Sequence, residues 1–223
     1  MITLSTEWID QIPDASVGLI VFSNVPNQID SQELGKAKND LEIELRNRFG
    51  DLDRKALRAK PVMAAYDAFY RQFRKSYHVQ LQLESVVFKG KPIFSPSALV
   101  ASMFMAELKT GLLTAAHDFS LLKLPLIAEI AEGGETYQRL DGSQQELKTG
   151  DLYIKDQEGI LSSVIYGPDQ RTQIQPGTNQ AAFTTYAPPG ITSSQVMAQF
   201  EILEEYVRIF APDLMRDQLV VLP

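Results

Sequence analysis

The chain has 223 residues, 44% of them apolar and 22% charged, and a formal charge of −7. Such a chain forms one large domain or two small ones, and it can bury a proper core. It has no cysteine, which excludes disulfides, thiol nucleophiles and thiolate metal sites. The N-terminal stretch MITLSTEWIDQIPD has neither a basic region nor an apolar one, so it does not read as a signal peptide. No apolar run reaches the length that spans a bilayer. These features predict a cytoplasmic protein without membrane contact.

In chain order, residues 1–16 read as a polar lead-in, and Val17–Phe22 (VGLIVF) as a buried strand. Asp30, three residues before Glu33, suggests a capping box. Leu34, Ala37, Leu41, Leu45 and Phe49 then line one face of a helix that Gly50 ends. Pro61 starts another helix, with Val62, Ala65, Phe69 and Phe73 as its stripe and Tyr66 and Tyr70 beside it. Leu81–Phe88 reads as a short helix that breaks at Lys89–Pro92. Ser95-Pro96 then reads as N-cap and first helical position of the next. Ala98–Leu108 is apolar nearly all round, which predicts burial on more than one side.

The segment from Leu126 to Tyr186 is built differently. Leu126–Ile130, Thr136–Leu140, Leu152–Ile154 and Ile160–Tyr166 read as short strands. Gly133-Gly134, Asp141-Gly142, Gly150-Asp151 and Asp156–Gly159 separate them as turns. That is a meander of strands too short to stand alone. A polar loop, Gly167–Gly177, leads to what reads as a final core strand, Ala181–Tyr186. Thr192 or Ser193 caps a last helix with the stripe Val196, Phe200, Leu203, Val207 and Phe210, and residues 211–223 form a tail. Strand, helices, a block of strands and a helix make an α+β domain, an antiparallel sheet packed against several helices, spanning 1–223 without repeat or linker.

The order of several short motifs resembles a known family. Gly134-Glu135-Thr136, Leu140-Asp141-Gly142, the run Gly150–Asp156 and the Gly167 loop are similar to the editing domain of the bacterial phenylalanyl-tRNA synthetase beta subunit. That domain is called B3/B4 and also occurs free-standing. Ala65–Tyr77 and Phe88–Ile93 resemble stretches of the free-standing members more loosely. The resemblance implies a B3/B4-like fold and a deacylase that hydrolyses a misacylated tRNA in trans, with aminoacyl-tRNA as a transient partner and no cofactor. The alternative is a non-catalytic module that keeps the pocket for an amino acid or another small ligand.

The resemblance also implies where a pocket lies. The V-D-V-T-N run of the synthetases falls on Val100-Ala101-Ser102-Met103-Phe104, where both substrate-contacting polar positions are apolar. Their acidic, tyrosine-reading residue falls near Phe183. A pocket lined by Met103, Phe104 and Phe183 leaves a phenolic hydroxyl unpaired, so an apolar aminoacyl group suits it better than tyrosine. On this reading Ser102 and Thr185 position water or ester, and Asp169 and Arg171 form a catalytic loop. Thr184, Gly167, Asp118 and Glu84 add substrate contacts.

Arg71, Lys89 and Lys91 belong to the sparse basic residues that offer phosphate contacts, although a solvated helix face explains them more simply. His117-Asp118 is the best isolated polar pair, and a loop histidine beside a backbone-capping aspartate is its plainer reading. The two histidines, His78 and His117, lack metal-ligand spacing. Spacing alone leaves a Ser-His-Asp triad open, but no G-x-S-x-G elbow is present.

Overall fold

A computed structural model describes residues 1–27 and 31–223. The expected cap at Asp30 lies outside them; within them, Ser31 caps the helix by accepting from the Leu34 N–H at 3.3 Å. The chain runs β1 (Ile2–Leu4), α1 (Thr6–Gln11), β2 (Ser16–Ser23), α2 (Gln32–Phe49), α3 (Arg54–Arg58), α4 (Pro61–Gln72), α5 (His78–Lys89) and α6 (Ala98–Thr110). Then come β3 (Leu113–Asp118), β4 (Leu126–Ile130), β5 (Thr136–Gln138), β6 (Gln144–Glu146), β7 (Leu152–Lys155), β8 (Ile160–Ser163) and β9 (Gly167–Pro168). β10 (Gln180–Ala187), α7 (Ser193–Arg208) and β11 (Met215–Leu222) complete it. The architecture is α+β, with largely antiparallel sheets packed against helices.

Three sheets form. The central one has the order β11-β2-β10-β3, a second β1-β4-β7-β8-β9, and β5-β6 is a separate hairpin. All eight residues of β2 are buried, because β10 and β11 flank it and α7 lies on it. The approach of α7 is close. A Cβ on Gly18 would meet Phe200 at 2.5 Å and Val196 at 2.6 Å, so only glycine fits. Thr192 and Gln195 form a reciprocal capping box that starts α7.

Five expectations change. On α4 the buried face carries Met63, Tyr66 and Tyr70, while Val62, Ala65 and Phe69 of the expected stripe are only half-buried, because the two tyrosine hydroxyls find carbonyl partners in the interior at Tyr186 and Val164. The lead-in is structured: β1 pairs in parallel with β4, Ser5 caps α1, and Trp8 is fully buried. Trp8, together with the buried Ile2 and Ala15, anchors a segment whose apolar residues follow no helix or strand period. The tail is also structured, since β11 pairs with β2 along most of its length across a bulge between Arg216 and Gln218. As the sheet's outer strand it is only half-buried, which explains its polar start. The helix expected at Ser95-Pro96 begins at Ala98 with Ser97 as N-cap. Finally, Leu113–Asp118 is a fully buried strand pairing with β10; its Thr-Ala-Ala centre has little strand signal.

The meander splits for a local reason. Asp141 accepts from the Ser143 N–H at 3.0 Å and Gly142 takes φ 79°, so β5 and β6 close on each other. The strands on either side pair with the larger sheet instead.

Candidate functional site

Between α6, the strand β3 and the 163–176 segment lies a cavity of about 700 Å³. This is inside the range of roughly 300–1,000 Å³ in which small-molecule sites fall. Val100, Met103, Phe104, Leu113, Ala115, Ala116, Ile165 and Ile174 supply much of its wall, and it opens beside the exposed Phe94 and Leu140. Helix α6 contributes because its apolar surface runs nearly all the way round: one side packs into the core and another is left to the cavity. β3 contributes because it is the edge strand of its sheet.

Three polar groups in this wall have distinctive surroundings. Glu107 of α6 is 1% exposed. Its Oε1 accepts from the Thr114 N–H at 2.7 Å, whereas Oε2 has no hydrogen-bond partner among the described residues. Burial pushes its carboxyl up to about 8, and the Thr114 N–H offsets this only in part.

His78 is pushed down to about 4 by burial. Tyr70 Oη donates to the Val164 carbonyl at 2.6 Å and lies 2.9 Å from His78 Nδ1. The phenol has one proton, so Nδ1–H must donate to Tyr70, which leaves Nε2 as the histidine's acceptor. Ser163 donates to Asp151 Oδ2 at 2.7 Å and accepts from the Tyr166 N–H at 3.0 Å. Burial raises the Asp151 carboxyl to about 7.

Of the residues singled out from sequence, Met103, Phe104 and Gly167 line this cavity. The others are placed elsewhere. Phe183 is buried in the core with its ring 5.9 Å from that of Phe22, so it is not a pocket wall. The Ser102 and Thr184 hydroxyls are fully buried without partners among the described residues. Thr185 Oγ1 is 3.2 Å from Thr114 Oγ1, which also accepts from Gln199 Nε2 at 2.8 Å; this chain of bonds ties β10, β3 and α7 together.

Asp169 and Arg171 do come together, but as a clamp. Arg171 reaches Asp156 at 2.8 Å, Glu158 at 3.2 Å and the Leu121 carbonyl at 3.2 Å, and its Nε is 3.7 Å from Asp169. These contacts fasten the polar loop onto the turns after β3 and β7. Asp156 is held below its ordinary range even against the opposing effect of burial, because backbone N–H groups and Arg171 stabilise its charge. Asp169 is shifted upward by burial.

His117, expected in a loop, is a buried strand residue. Its Nδ1 is 2.8 Å from Thr172 Oγ1, and Thr172 bonds to Asp169. Asp118 does cap local backbone, accepting from the Ser120 N–H at 3.0 Å, and it also accepts from the Thr178 hydroxyl at 2.6 Å. Glu84 accepts from Gln80 at 2.9 Å and pairs with Arg54 at 3.2 Å. Arg71 pairs with Asp67 at 2.8 Å. Lys89 and Lys91 are exposed, and Lys91 borders a smaller groove that shares Phe94 and Phe104 with the cavity. Among the described residues no three or more His, Asp or Glu side chains gather where they could hold a metal, and no helix is long and apolar enough to cross a membrane.

No family model matches the chain, and no curated protein matches it in sequence. A solved structure does match in shape: an N-terminal fragment of the phenylalanyl-tRNA synthetase beta-subunit from Pyrococcus horikoshii. The likeness is one of fold. The TM-score is 0.51 at 12% identity, and the match covers all of this chain and 54% of that one. This chain therefore spans about half the length of the fragment it resembles. The agreement extends to the fold class read from the motifs, and it carries no residue roles with it.

Sequence reading missed Glu107, His78 and Ser163. One signal was available. Glu107 is the only charged residue of Ala98–Leu108, and a lone carboxylate in a helix buried on several sides must face a partner, a cavity or a proton.

Proposed function

We propose that the chain binds a small, largely apolar ligand in the cavity between α6 and β3. An uncharged amino-acid derivative is the ligand class favoured here. The observation that carries this reading is the cavity itself: about 700 Å³, walled mainly by carbon, with one carboxyl whose Oε2 lacks a partner among the described residues. Sites that hold small molecules have this composition, an apolar wall with few polar groups that fix orientation. A zwitterion suits the wall less well, since Arg139 is the one permanent cation lining it among the described residues, and unpaired charge is costly to bury.

The second reading is hydrolysis of an aminoacyl ester in trans, on a misacylated tRNA. The fold likeness to a synthetase fragment favours it, as does a carboxyl whose pKa of about 8 lies close to the neutral pH at which a general acid or base works best. Against it stand the overall charge of −7 and the structural bonds that occupy Thr185, Asp169 and Arg171.

One panel tests both readings. The melting temperature is measured with N-acetyl methyl esters of phenylalanine, leucine and methionine, beside release of labelled amino acid from misacylated tRNAs. Wild type and an Ala116→Phe variant that fills the cavity are compared. A ligand at about a hundred times its Kd adds roughly 2.7 kcal/mol of stability, so a rise seen only in wild type supports binding. Release of amino acid that Ala116→Phe loses supports the second reading. No shift with any ester and no release from any tRNA refutes both.

A further inference from the structure

Glu107 is the one carboxyl in the cavity wall among the described residues, and the arrangement around it selects one kind of ligand group. Oε1 is committed to the Thr114 N–H at 2.7 Å, so any recognition falls to Oε2, which is buried without a partner among the described residues. Among those residues no Lys or Arg pairs with Glu107; the cation in the wall, Arg139, stands 3.8 Å from Asp141 instead. We propose that Glu107 recognises the ligand by donating a hydrogen bond from its carboxylic acid, through Oε2, to a carbonyl oxygen of an uncharged molecule. The inference rests on the binding reading above and names the group on the ligand that the site reads.

The surroundings of Glu107 favour a carbonyl over an amine. A ligand ammonium would form a buried ion pair, and desolvating both charges cancels most of the attraction unless further hydrogen bonds complete the pair. The neighbouring polar groups are already engaged, Gln199 with the Thr114 hydroxyl at 2.8 Å and Thr114 with Glu107. Burial also keeps the Glu107 carboxyl neutral up to about pH 8, so at neutral pH Oε2 carries a proton that no described residue receives. A carbonyl satisfies that donor at no cost in charge.

The other titratable groups facing this region do not reverse the argument. Burial holds Tyr66, Tyr70 and Tyr77, from α4 and the start of α5, well above their ordinary range. His78 is already neutral above about pH 4. Asp151, behind Ser163, titrates near pH 7 and serves as the control.

Three nearly isosteric probes test the proposal: acetophenone, 1-phenylethylamine and ethylbenzene, with affinities read by ligand-observed NMR. Wild type is compared with Glu107→Gln, which keeps an N–H donor, Glu107→Leu, which has none, and Asp151→Asn. At about pH 6.5, acetophenone is expected to bind wild type on the order of tenfold tighter than ethylbenzene, the net worth of one hydrogen bond. Glu107→Gln keeps that preference and Glu107→Leu loses it. Raising the pH to about 9 abolishes it in wild type and Asp151→Asn but not in Glu107→Gln. Tighter binding of 1-phenylethylamine than acetophenone overturns the proposal in favour of a carboxylate that anchors cations. Equal binding of acetophenone and ethylbenzene overturns it while leaving the cavity as an unselective apolar site. Failure of all three to bind overturns the proposal together with the binding reading.

Discussion

Replacing Glu107 by Gln is expected to change how stability depends on pH. In the fold this carboxyl titrates near 8, and in the unfolded chain near its ordinary 4.5. Between those values the native state holds a proton that the unfolded state has released. Stability therefore falls as pH rises through this window, and the loss is complete above about pH 8. The histidines contribute no slope above their ordinary 6.5. From there to about 8 the carboxyl accounts for about one and a half units at about 1.4 kcal/mol each, on the order of 2 kcal/mol. Glutamine has the same shape and no titration, so its stability stays nearly level across this interval. Only the end of the Asp151 transition near 7 remains. Urea denaturation of both proteins between about pH 6.5 and 8.5 measures the difference. Parallel profiles for wild type and variant would refute the reasoning, because Glu107 would then be ionised in the fold as it is outside it.

Three further outcomes follow from the packing and the charges. Gly18→Ala is expected to destabilise by about 1–3 kcal/mol, since the new methyl meets Phe200 and Val196; a urea midpoint equal to wild type contradicts the close approach of α7. Arg171→Ala is expected to lower the melting temperature by releasing the loop from the buried Asp156, while affinity for a cavity ligand stays unchanged; loss of binding or of ester release in a folded variant would return Arg171 to the site. On the acid side, the fold depresses His78 and His117 to about 4. The unfolded chain then binds more protons, so stability is lost as pH falls from about 6.5 towards 4. A variant with both histidines replaced by Gln should show a flatter limb, and an unchanged limb would contradict their burial as neutral rings.

Residues with strong periodicity were legible in the sequence. The continuous apolar run at Val17–Phe22, the stripes of α2 and α7, and the Asp-Gly turn of the β5–β6 hairpin each carry one local signal, and the fold obeys it. What was not legible depends on contacts distant in sequence. β11 exists because β2 offers it an edge, and β1 because β4 does; Leu219–Leu222 is an apolar run of strand type, but nothing local to either segment names its partner. The candidate site shows the same division. Met103 and Phe104 were reached through their helix, and they line the cavity. Phe183 sits on β10 beside Ala116, which does line it, yet the ring turns into the core against Phe22. Asp169 and Arg171 had the composition of a catalytic loop, and only their partners at Thr172 and Asp156 show that they fasten it.

The most direct test of the account is whether the cavity between α6 and β3 accepts a ligand at all. N-acetyl-phenylalanine methyl ester is titrated into ¹⁵N-labelled protein, wild type and Ala116→Phe, and amide shifts are followed. The account predicts saturable shifts centred on Ala115, Ala116 and Gly167, lost when the introduced ring fills the space. Shifts that persist in Ala116→Phe, or that centre away from these residues, would contradict it.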